Sequence, residues 1–236
     1  MAAKVRIVPV TDAPWADVER VFGTRGDPAG CWCQFFKLPN AEWKTITPGE
    51  CRNLLEEQVQ AARGGTAHPP GVIAYLAPDA ADGDSDNASR NENDDGHDDG
   101  HGNASAAEPV GWCAVEPRTA YDRLRTAEVV KGSAEDEDDD SVWAITCFVV
   151  RVGHRRQGIG GELLQGAIEQ AARLGARVIE GYPVDTAERK TSSAELYHGT
   201  LSQFVAAGFE VTSRPSPSRA VVTLRIDAER DSRALT

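Results

Sequence analysis

The sequence predicts an α/β (α+β) chain with a mixed, mostly antiparallel central sheet of about seven strands and about four flanking helices. Short apolar or alternating runs, typical of strands, are interspersed with stretches whose apolar residues keep helical spacing. Their order is β-α-α-β-β-β-α-β-α-β-β, with one βαβ crossover that we expect to be right-handed. The 236 residues are enough to bury one core, so we expect 1–236 to form a single domain with insertions.

The N-terminal part predicts one strand and two helices. Residues 4–10 alternate polar and apolar side chains, as a half-buried strand does, and residues 12–22 form an amphipathic stretch. Residues 23–46 are irregular and rich in Gly, Pro and aromatic residues. The second helix begins at a capping box, Thr47-Pro48-Gly49-Glu50, and its apolar stripe ends at Gly64-Gly65.

The C-terminal part predicts six strands and the helices between them. The strand at 143–150 is continuously apolar, the pattern of a strand buried on both faces. The helix at 159–174 keeps helical apolar spacing and stops at Gly175. The other predicted elements are strands at 71–76, 110–115, 178–182, 209–212 and 220–226, a short helix within 121–130 and a helix at 195–207.

The net charge of −12 comes from two segments of the chain. Ten of the 37 acidic residues lie in 79–108 and six lie in 135–140. Without these 16 residues and Arg90, 21 acidic and 24 basic residues remain, so the rest of the chain is slightly basic. We therefore expect a disordered acidic insert at 78–108 and an acidic loop at 131–141. The acidic total argues against a nucleic-acid partner.

Composition excludes other classes as well. No apolar run approaches the ~20 residues that span a bilayer, so we expect no membrane partner and a cytoplasmic location. Five cysteines at irregular spacing do not form a disulfide framework. Cys31 and Cys33 lack the second ligand pair of a zinc site. A calcium loop starting at Asp82 would have Asn87 in place of Gly and Asn93 in place of Glu. The Asp/His run at 94–101 could bind a divalent metal weakly, but a solvated linker is the better interpretation, so no metal is expected.

The turn after the strand at 143–150 carries the chemical signal. It reads Arg155-Arg156-Gln157-Gly158-Ile159-Gly160-Gly161 and opens a helix. A helix N-terminus presents free backbone N–H groups and a positive dipole end, and glycines let an anion approach closely. Two other phosphate loops are excluded. Ile159-Gly160 stands where a Walker loop needs Lys-Ser/Thr, and Leu163 stands where a dinucleotide fingerprint needs Gly.

The pattern Arg-x-x-Gly-x-Gly at Arg155, Gly158 and Gly160, directly after a buried strand, resembles the signature turn of the GNAT N-acetyltransferase superfamily. The order of elements matches from the first strand to the last hairpin, which implies a GNAT-like fold around a βαβ acyl-CoA-binding core. It also implies transfer of an acetyl group from acetyl-CoA to an amine of a small molecule or peptide, by direct attack in a ternary complex. The expected partners are acetyl-CoA and an amine acceptor, with the chain a monomer or homodimer.

The resemblance implies roles for the strand and the turn. Backbone groups of Phe148 and Val150 are expected to pair with the pantetheine arm, and one strand amide to polarise the thioester carbonyl. The turn is expected to hold the pyrophosphate. The implied cofactor-binding residues are Phe148, Val149, Val150, Arg155, Arg156, Gln157, Gly158, Ile159, Gly160 and Gly161.

The catalytic acid departs from the family pattern. Many members carry a Tyr four residues before a Gly-Phe pair on the last helix, but Phe204 stands there and has no proton to give. Tyr197, about two helical turns earlier, is the candidate general acid, and a packing contact is its alternative role.

The catalytic base is also open. Histone-acetylating members place a glutamate on the buried strand where this chain has Ala144. Glu116 is the first candidate base, because strand ends are expected to meet in the cleft. Asp185, His198 and a water relay are the alternatives.

Acceptor binding is expected in the link between the first two helices, which in GNAT proteins forms one wall of the acceptor site. Here it contains the run Cys31-Trp32-Cys33-Gln34-Phe35-Phe36. Trp32, Phe35 and Phe36 are therefore the candidate acceptor-binding residues, unless these aromatics cover the sheet as core.

A non-catalytic acyl-CoA-binding or regulatory module is the alternative function, favoured by Phe204 and Ala144. Both functions predict CoA binding. The enzyme alone predicts release of free thiol with amines.

Overall fold

A computed structural model describes residues 5–77, 107–125, 127, 132–187 and 195–226. Seven strands form one sheet in the order β1-β2-β3-β4-β5-β7-β6, and every neighbouring pair is antiparallel except β4 and β5. The predicted fold class is therefore confirmed. The strands are β1 (Val5–Pro9), β2 (Gly71–Leu76), β3 (Glu108–Pro117), β4 (Val142–Val150), β5 (Val178–Gly181), β6 (Glu210–Ser216) and β7 (Arg219–Arg225).

The helices follow the predicted order with short additions. They are α1 (Trp15–Phe22), α2 (Asp27–Cys31), α3 (Asn40–Trp43), α4 (Pro48–Arg63), α5 (Asp122–Arg125), α6 (Ile159–Arg173) and α7 (Leu201–Ala206). α2 and α3 lie in the segment predicted to be irregular. α4 starts in the predicted capping box, where the Glu50 carboxylate accepts the Thr47 N–H at 2.7 Å. α6 joins β4 to its parallel neighbour β5, which is the predicted crossover.

Both faces of the sheet are buried. Val72 and Ala74 of β2 pack in the core that includes the apolar side of α6. Ile73 and Tyr75, which alternate with them, pack in a second core with α1 and α4. The side-chain period of two along a strand divides these residues between the two faces.

A β-bulge interrupts the register of β4. Ala114 of β3 is opposite Cys147, and its neighbour Val115 is opposite Ile145, so Thr146 is the extra residue. One inserted residue reverses which face the following side chains occupy and bends the strand. After the bulge, the side chains of β4 therefore lie on the opposite faces of the sheet from those that an uninterrupted strand would give them.

β4 and β5 separate at the same level. Their parallel pairing runs only from Val142 and Val178 to Ile145 and Gly181, and β4 then continues to Val150. Beside this second half of β4 lies the chain that precedes α7, tied back by the bridge between Val184 and Thr200. A cleft flanked by this chain and β4 is the result.

The prediction of one continuous helix at 195–207 is wrong. The structure has a 3₁₀ turn, Glu195–His198, followed by the separate helix α7. Gly199 has a φ of +76°, in the left-handed region that ends a helix, and Thr200 caps α7. A Cβ at Gly199 would lie 2.9 Å from the Phe204 ring and 3.1 Å from the Phe148 ring. The chain thus breaks at a glycine because it packs directly against β4 at this point.

The acidic loop at 132–141 is anchored by a buried arginine. The Arg118 guanidinium, in a residue that is 3% exposed, donates to Glu180 Oε2 and to Ser133 Oγ, both at 2.9 Å. It also donates to the Glu135 carbonyl oxygen at 3.1 Å. The Tyr182 hydroxyl donates to the same Glu180 oxygen at 2.9 Å. These bonds supply the partners that a buried carboxylate requires.

Further ion pairs hold the outside of this loop. Arg177 binds Glu135 at 2.7 Å and Asp139 at 2.6 Å, and Arg125 binds Asp138 at 2.5 Å. The described residues 132–141 contain no helix or strand, and these ion pairs dock them against the sheet. The other predicted acidic segment, 78–108, lies outside the described residues except for 107 and 108.

Replacing Arg118 with Met should lower the free energy of unfolding by about 3–5 kcal/mol, because the buried Glu180 carboxylate would lose its cation. Urea unfolding measures the change. The matched control is Arg225→Met, since Arg225 pairs with Glu135 of the same loop but is 65% exposed. We expect the control to lose less than about 1 kcal/mol. Equal losses in the two variants would contradict this argument from burial.

Candidate active site

The turn between β4 and α6 has the backbone geometry of an anion cradle. Arg156 and Gly158 have φ values of +64° and +83°, and Gly158 is the N-cap of α6. Among the described residues no acceptor bonds to the N–H groups of Ile159 and Gly160. A Cβ built on Gly158 or Gly161 would meet nothing within 4 Å, so the space in front of the helix end is open. Orphan donors at an accessible helix N-terminus are suited to a phosphate.

A cavity of about 340 Å³, here called the turn pocket, lies over this segment. Arg155 and Arg156 add two guanidinium groups to its wall. Gln203 of α7 donates its side-chain amide to the Gly160 carbonyl at 2.7 Å and so ties α7 to the start of α6. The full lining is Phe148, Val150, His154, Arg155, Arg156, Gly158, Ile159, Gly160, Gly161, Leu196, Tyr197, Gly199 and Gln203.

A larger cavity of about 600 Å³, here called the aromatic pocket, uses the other side chains of β4. Cys147 and Val149 line it, whereas Phe148 and Val150 line the turn pocket, so alternation along the strand separates the two. The remaining lining residues are Gly26, Asp27, Pro28, Gly30, Cys31, Cys33, Phe35, Phe36, Trp43, Thr146, Tyr197 and His198.

Tyr197 lines both pockets. Burial raises the pKa of its phenol, the Asp27 carboxylate raises it further, and the Arg155 guanidinium opposes both effects. The net shift is upward, so the phenol keeps its proton at neutral pH. A protonated hydroxyl thus lies where the two cavities meet.

His198 lies beside Tyr197 in the aromatic pocket. Its Nδ1 is 3.0 Å from the carbonyl oxygen of Thr146, the bulge residue of β4. A carbonyl can only accept, so Nδ1 carries a hydrogen, and burial lowers the pKa of the ring to about 4, with a contribution from Arg219. The imidazole is therefore neutral at pH 7, with a lone pair on Nε2.

The family profile of the acetyltransferase (GNAT) family matches residues 75–199. This match covers more than half of the chain, and it contains the turn, α6 and the segment with Tyr197 and His198. The chain belongs to the GNAT acetyltransferase family. A search of curated proteins gives no significant match.

The solved structures to which this chain is similar have low sequence identity to it. The yncA protein of Salmonella typhimurium, described as an acetyltransferase and solved with its cofactor acetyl-CoA, is 12% identical (97% of this chain and 96% of that chain covered, TM-score 0.46). The paia N-acetyltransferase of Thermoplasma acidophilum, in complex with coenzyme A, is 8% identical (94% and 99%, TM-score 0.46). PH1933 of Pyrococcus horikoshii OT3 is 14% identical (95% and 99%, TM-score 0.44). At these values the assignment rests on the family profile.

Most of the cofactor-binding residues implied by the GNAT resemblance come together in the turn pocket. Val149 lies in the aromatic pocket instead, and Gln157 donates its side-chain amide to the Gly153 carbonyl at 3.0 Å. The Val150 carbonyl accepts from Arg155 Nε at 3.1 Å. The eight that line the turn pocket are Phe148, Val150, Arg155, Arg156, Gly158, Ile159, Gly160 and Gly161.

The predicted acceptor residues separate. Phe35 and Phe36 line the aromatic pocket, but Trp32 is absent from its lining, is 6% exposed and stacks on Phe22 with ring centroids 4.7 Å apart. Positive φ values at Trp32 and Cys33 turn the chain and direct the indole into the core. Trp32 is therefore a core residue, which is the alternative that the sequence left open for these aromatics.

Glu116, the first candidate base, lines neither pocket. Its carboxylate is buried in an ion pair with Lys37. Antiparallel pairing puts Glu116 opposite Ala144, in the half of β4 that precedes the bulge. The cleft opens beside the half of β4 that follows the bulge. The expectation that this end of β3 meets the cleft is therefore wrong. Asp185 is likewise held by Arg214, at 2.8 Å.

The sequence did not single out Asp27 or Gln203. The run Gly26-Asp27-Pro28 marks a helix start. Nothing in the local pattern, however, places this helix opposite Tyr197. These residues reach the pockets through long-range packing alone.

Burial also acts on the thiols that line the aromatic pocket. Burial raises the pKa of the Cys31 thiol to about 12, so it is not a ready nucleophile. Within the described ranges, no three His, Cys, Asp or Glu side chains group as a metal site would need. No helix in this part of the chain is long and apolar enough to cross a membrane.

His198 should remain neutral from pH 8 to pH 5 and protonate only near pH 4, because burial and Arg219 disfavour its cation. At pH 7 its Nδ1 should carry the hydrogen. Side-chain ¹⁵N chemical shifts followed through a pH titration measure both properties, and loss of the signal in His198→Asn assigns it. A midpoint near the ordinary 6.5 would refute the assignment.

Proposed function

We propose that the protein transfers an acetyl group from acetyl-CoA to an amine by direct attack within a ternary complex. The observation that carries the proposal is the pair of cavities that use alternate side chains of β4 and share Tyr197. One cavity has the donors for a polyanion, and the other is apolar. Membership of the GNAT family supports acetyl-CoA as the donor.

Donor binding would use the turn and the end of β4. The pyrophosphate would accept hydrogen bonds from backbone N–H groups between Arg155 and Gly160, with the Arg156 guanidinium adding charge. The pantetheine arm would lie along Phe148 and Val150, and Arg155 would then release the Val150 carbonyl that it holds here. The thioester would reach the level of Tyr197, between the two cavities.

The chemistry needs one base and one acid. The ammonium group first gives one proton to solvent, and the nitrogen of the free amine attacks the thioester carbon. His198 Nε2 accepts the second proton of this nitrogen, directly or through water, as the amide forms. The tetrahedral intermediate collapses with cleavage of the C–S bond, and the departing thiolate takes the phenolic proton of Tyr197. Proton exchange with solvent returns His198 and Tyr197 to their starting states.

His198 fits the role of base better than Glu116. Its ring is neutral, it lines the aromatic pocket, and the Thr146 carbonyl fixes its tautomer. Glu116 is held in an ion pair with Lys37 and is absent from both linings. Tyr197 fits the role of acid because its raised pKa keeps the phenol protonated, so that a proton is available when the thiolate departs.

Gly160→Glu should reduce acetyl-CoA affinity at least 100-fold, because it places a carboxylate at the helix end where the pyrophosphate would bind. Isothermal titration calorimetry measures this. Gly49→Glu, in the first turn of α4 with nothing within 4 Å of a built Cβ, is the matched control and should keep the wild-type affinity. Unchanged binding in Gly160→Glu would exclude the turn as the donor site.

Tyr197→Phe should lower kcat at least 10-fold while changing the Kd for acetyl-CoA less than about twofold, because the phenyl ring keeps the packing and loses the proton. A free-thiol assay with an amine panel measures kcat. An unchanged kcat would show that Tyr197 has a packing role and is not the general acid. Absence of thiol release by the wild-type protein with every amine, despite acetyl-CoA binding, would favour the non-catalytic module.

A further inference from the structure

The aromatic pocket has an unusual charge composition. Among the 14 described residues that line it, Asp27 is the one carboxylate, and none is Lys or Arg. His198 is neutral at pH 7, because burial and Arg219 lower the pKa of its ring to about 4. A cationic group therefore has a carboxylate partner among these residues, whereas a carboxylate or phosphate has no cationic side chain among them to pair with.

One wall of the aromatic pocket is a fixed cluster of rings. Phe35 makes edge contacts with Phe36 and Trp43, with ring centroids 4.9 and 5.2 Å apart. The Arg123 guanidinium lies over Phe35 and Trp43, at 4.5 and 5.4 Å from their centroids. Its Nε donates to the Leu38 carbonyl at 3.1 Å, and this fixes the guanidinium behind the rings.

Asp27 lies at the exposed first turn of α2, on the rim of the cavity. Its carboxylate acts electrostatically on the Tyr197 phenol, which lines both pockets. An ammonium group held by Asp27 would consequently be close to the point where the pockets meet. The ring cluster would receive the rest of the molecule, and a volume of about 600 Å³ is that of a small-molecule site.

We infer that the acceptor is a small arylalkylamine: a primary amine whose ammonium form is bound by Asp27, whose aromatic body packs against Phe35, Phe36 and Trp43, and which carries no anionic group. This inference rests on the proposed acetyl transfer. The amine nitrogen forms the new bond to the acetyl carbon, the C–S bond breaks, and CoA leaves as the thiol.

The first test compares acceptors that differ by one group. With saturating acetyl-CoA, thiol release is measured for 2-phenylethylamine, for phenylalanine, which adds only a carboxylate, and for butylamine, which lacks the ring. The kcat/KM for 2-phenylethylamine should exceed each of the others at least 10-fold. Equal or better use of phenylalanine would overturn the inference. Preference for butane-1,4-diamine or for the N-terminal amine of a peptide would overturn it equally.

The second test removes the carboxylate. Asp27→Asn should raise the KM for 2-phenylethylamine about 10-fold and leave the Kd for acetyl-CoA unchanged, because the variant loses the partner of the ammonium group alone. Asp122→Asn is the matched control, since Asp122 is an exposed carboxylate in the first turn of α5 and lines neither pocket. An unchanged KM in a folded Asp27→Asn variant would contradict the role of Asp27.

The third test examines the rings through selectivity, which is the ratio of kcat/KM for two amines. A loss of folded protein lowers both values equally and leaves this ratio unchanged. Trp43→Leu should reduce the preference for 2-phenylethylamine over butylamine at least fivefold. Trp15→Leu is the matched control, because Trp15 is also half-buried and also lies under an arginine, Arg52 at 5.3 Å, but outside the pocket. Equal loss of preference in both variants would refute the ring cluster as the binding wall.

The outcomes separate this inference from the proposed function. Failure to bind acetyl-CoA in calorimetry would reject the proposed function itself. Binding of acetyl-CoA with thiol release to amines of another class would leave acetyl transfer standing and reject the arylalkylamine.

Discussion

The bulge at Thr146 is the feature on which the candidate site depends. Because one residue is inserted in β4, Cys147 and Val149 face the aromatic pocket, and Phe148 and Val150 face the turn pocket. At the same level β4 separates from β5, and the separation makes room for the 3₁₀ turn that carries Tyr197 and His198. A regular strand would carry neither the cleft nor a carbonyl free to bind His198.

The glycine at 199 and the imidazole at 198 act together at this point. Gly199 lets the chain approach the Phe148 and Phe204 rings, and this contact brings His198 to the Thr146 carbonyl. The carbonyl selects the tautomer of the ring, and burial keeps the ring neutral. Backbone packing thus sets the protonation state of the candidate base.

Charge is distributed so that each part of the molecule has a separate electrostatic role. The acidic run at 135–140 is matched by arginines on neighbouring elements, and buried Arg118 links that loop to Glu180 in β5. Arg155 and Arg156, in the turn before α6, line the turn pocket. Among the described residues that line the aromatic pocket, Asp27 is the single carboxylate. The net charge of −12 therefore describes none of these regions by itself.

Local pattern by itself determined the order of strands and helices along the chain, the capping box of α4 and the glycine turn before α6, because periodicity, caps and glycine content act over a few residues. The tertiary structure alone decided the register shift at Thr146, the break at Gly199 and the burial of Trp32. It also paired Glu116 with Lys37 and brought Asp27 to Tyr197. The physical reason is that these features depend on contacts between residues far apart in the chain, and no local propensity encodes such contacts.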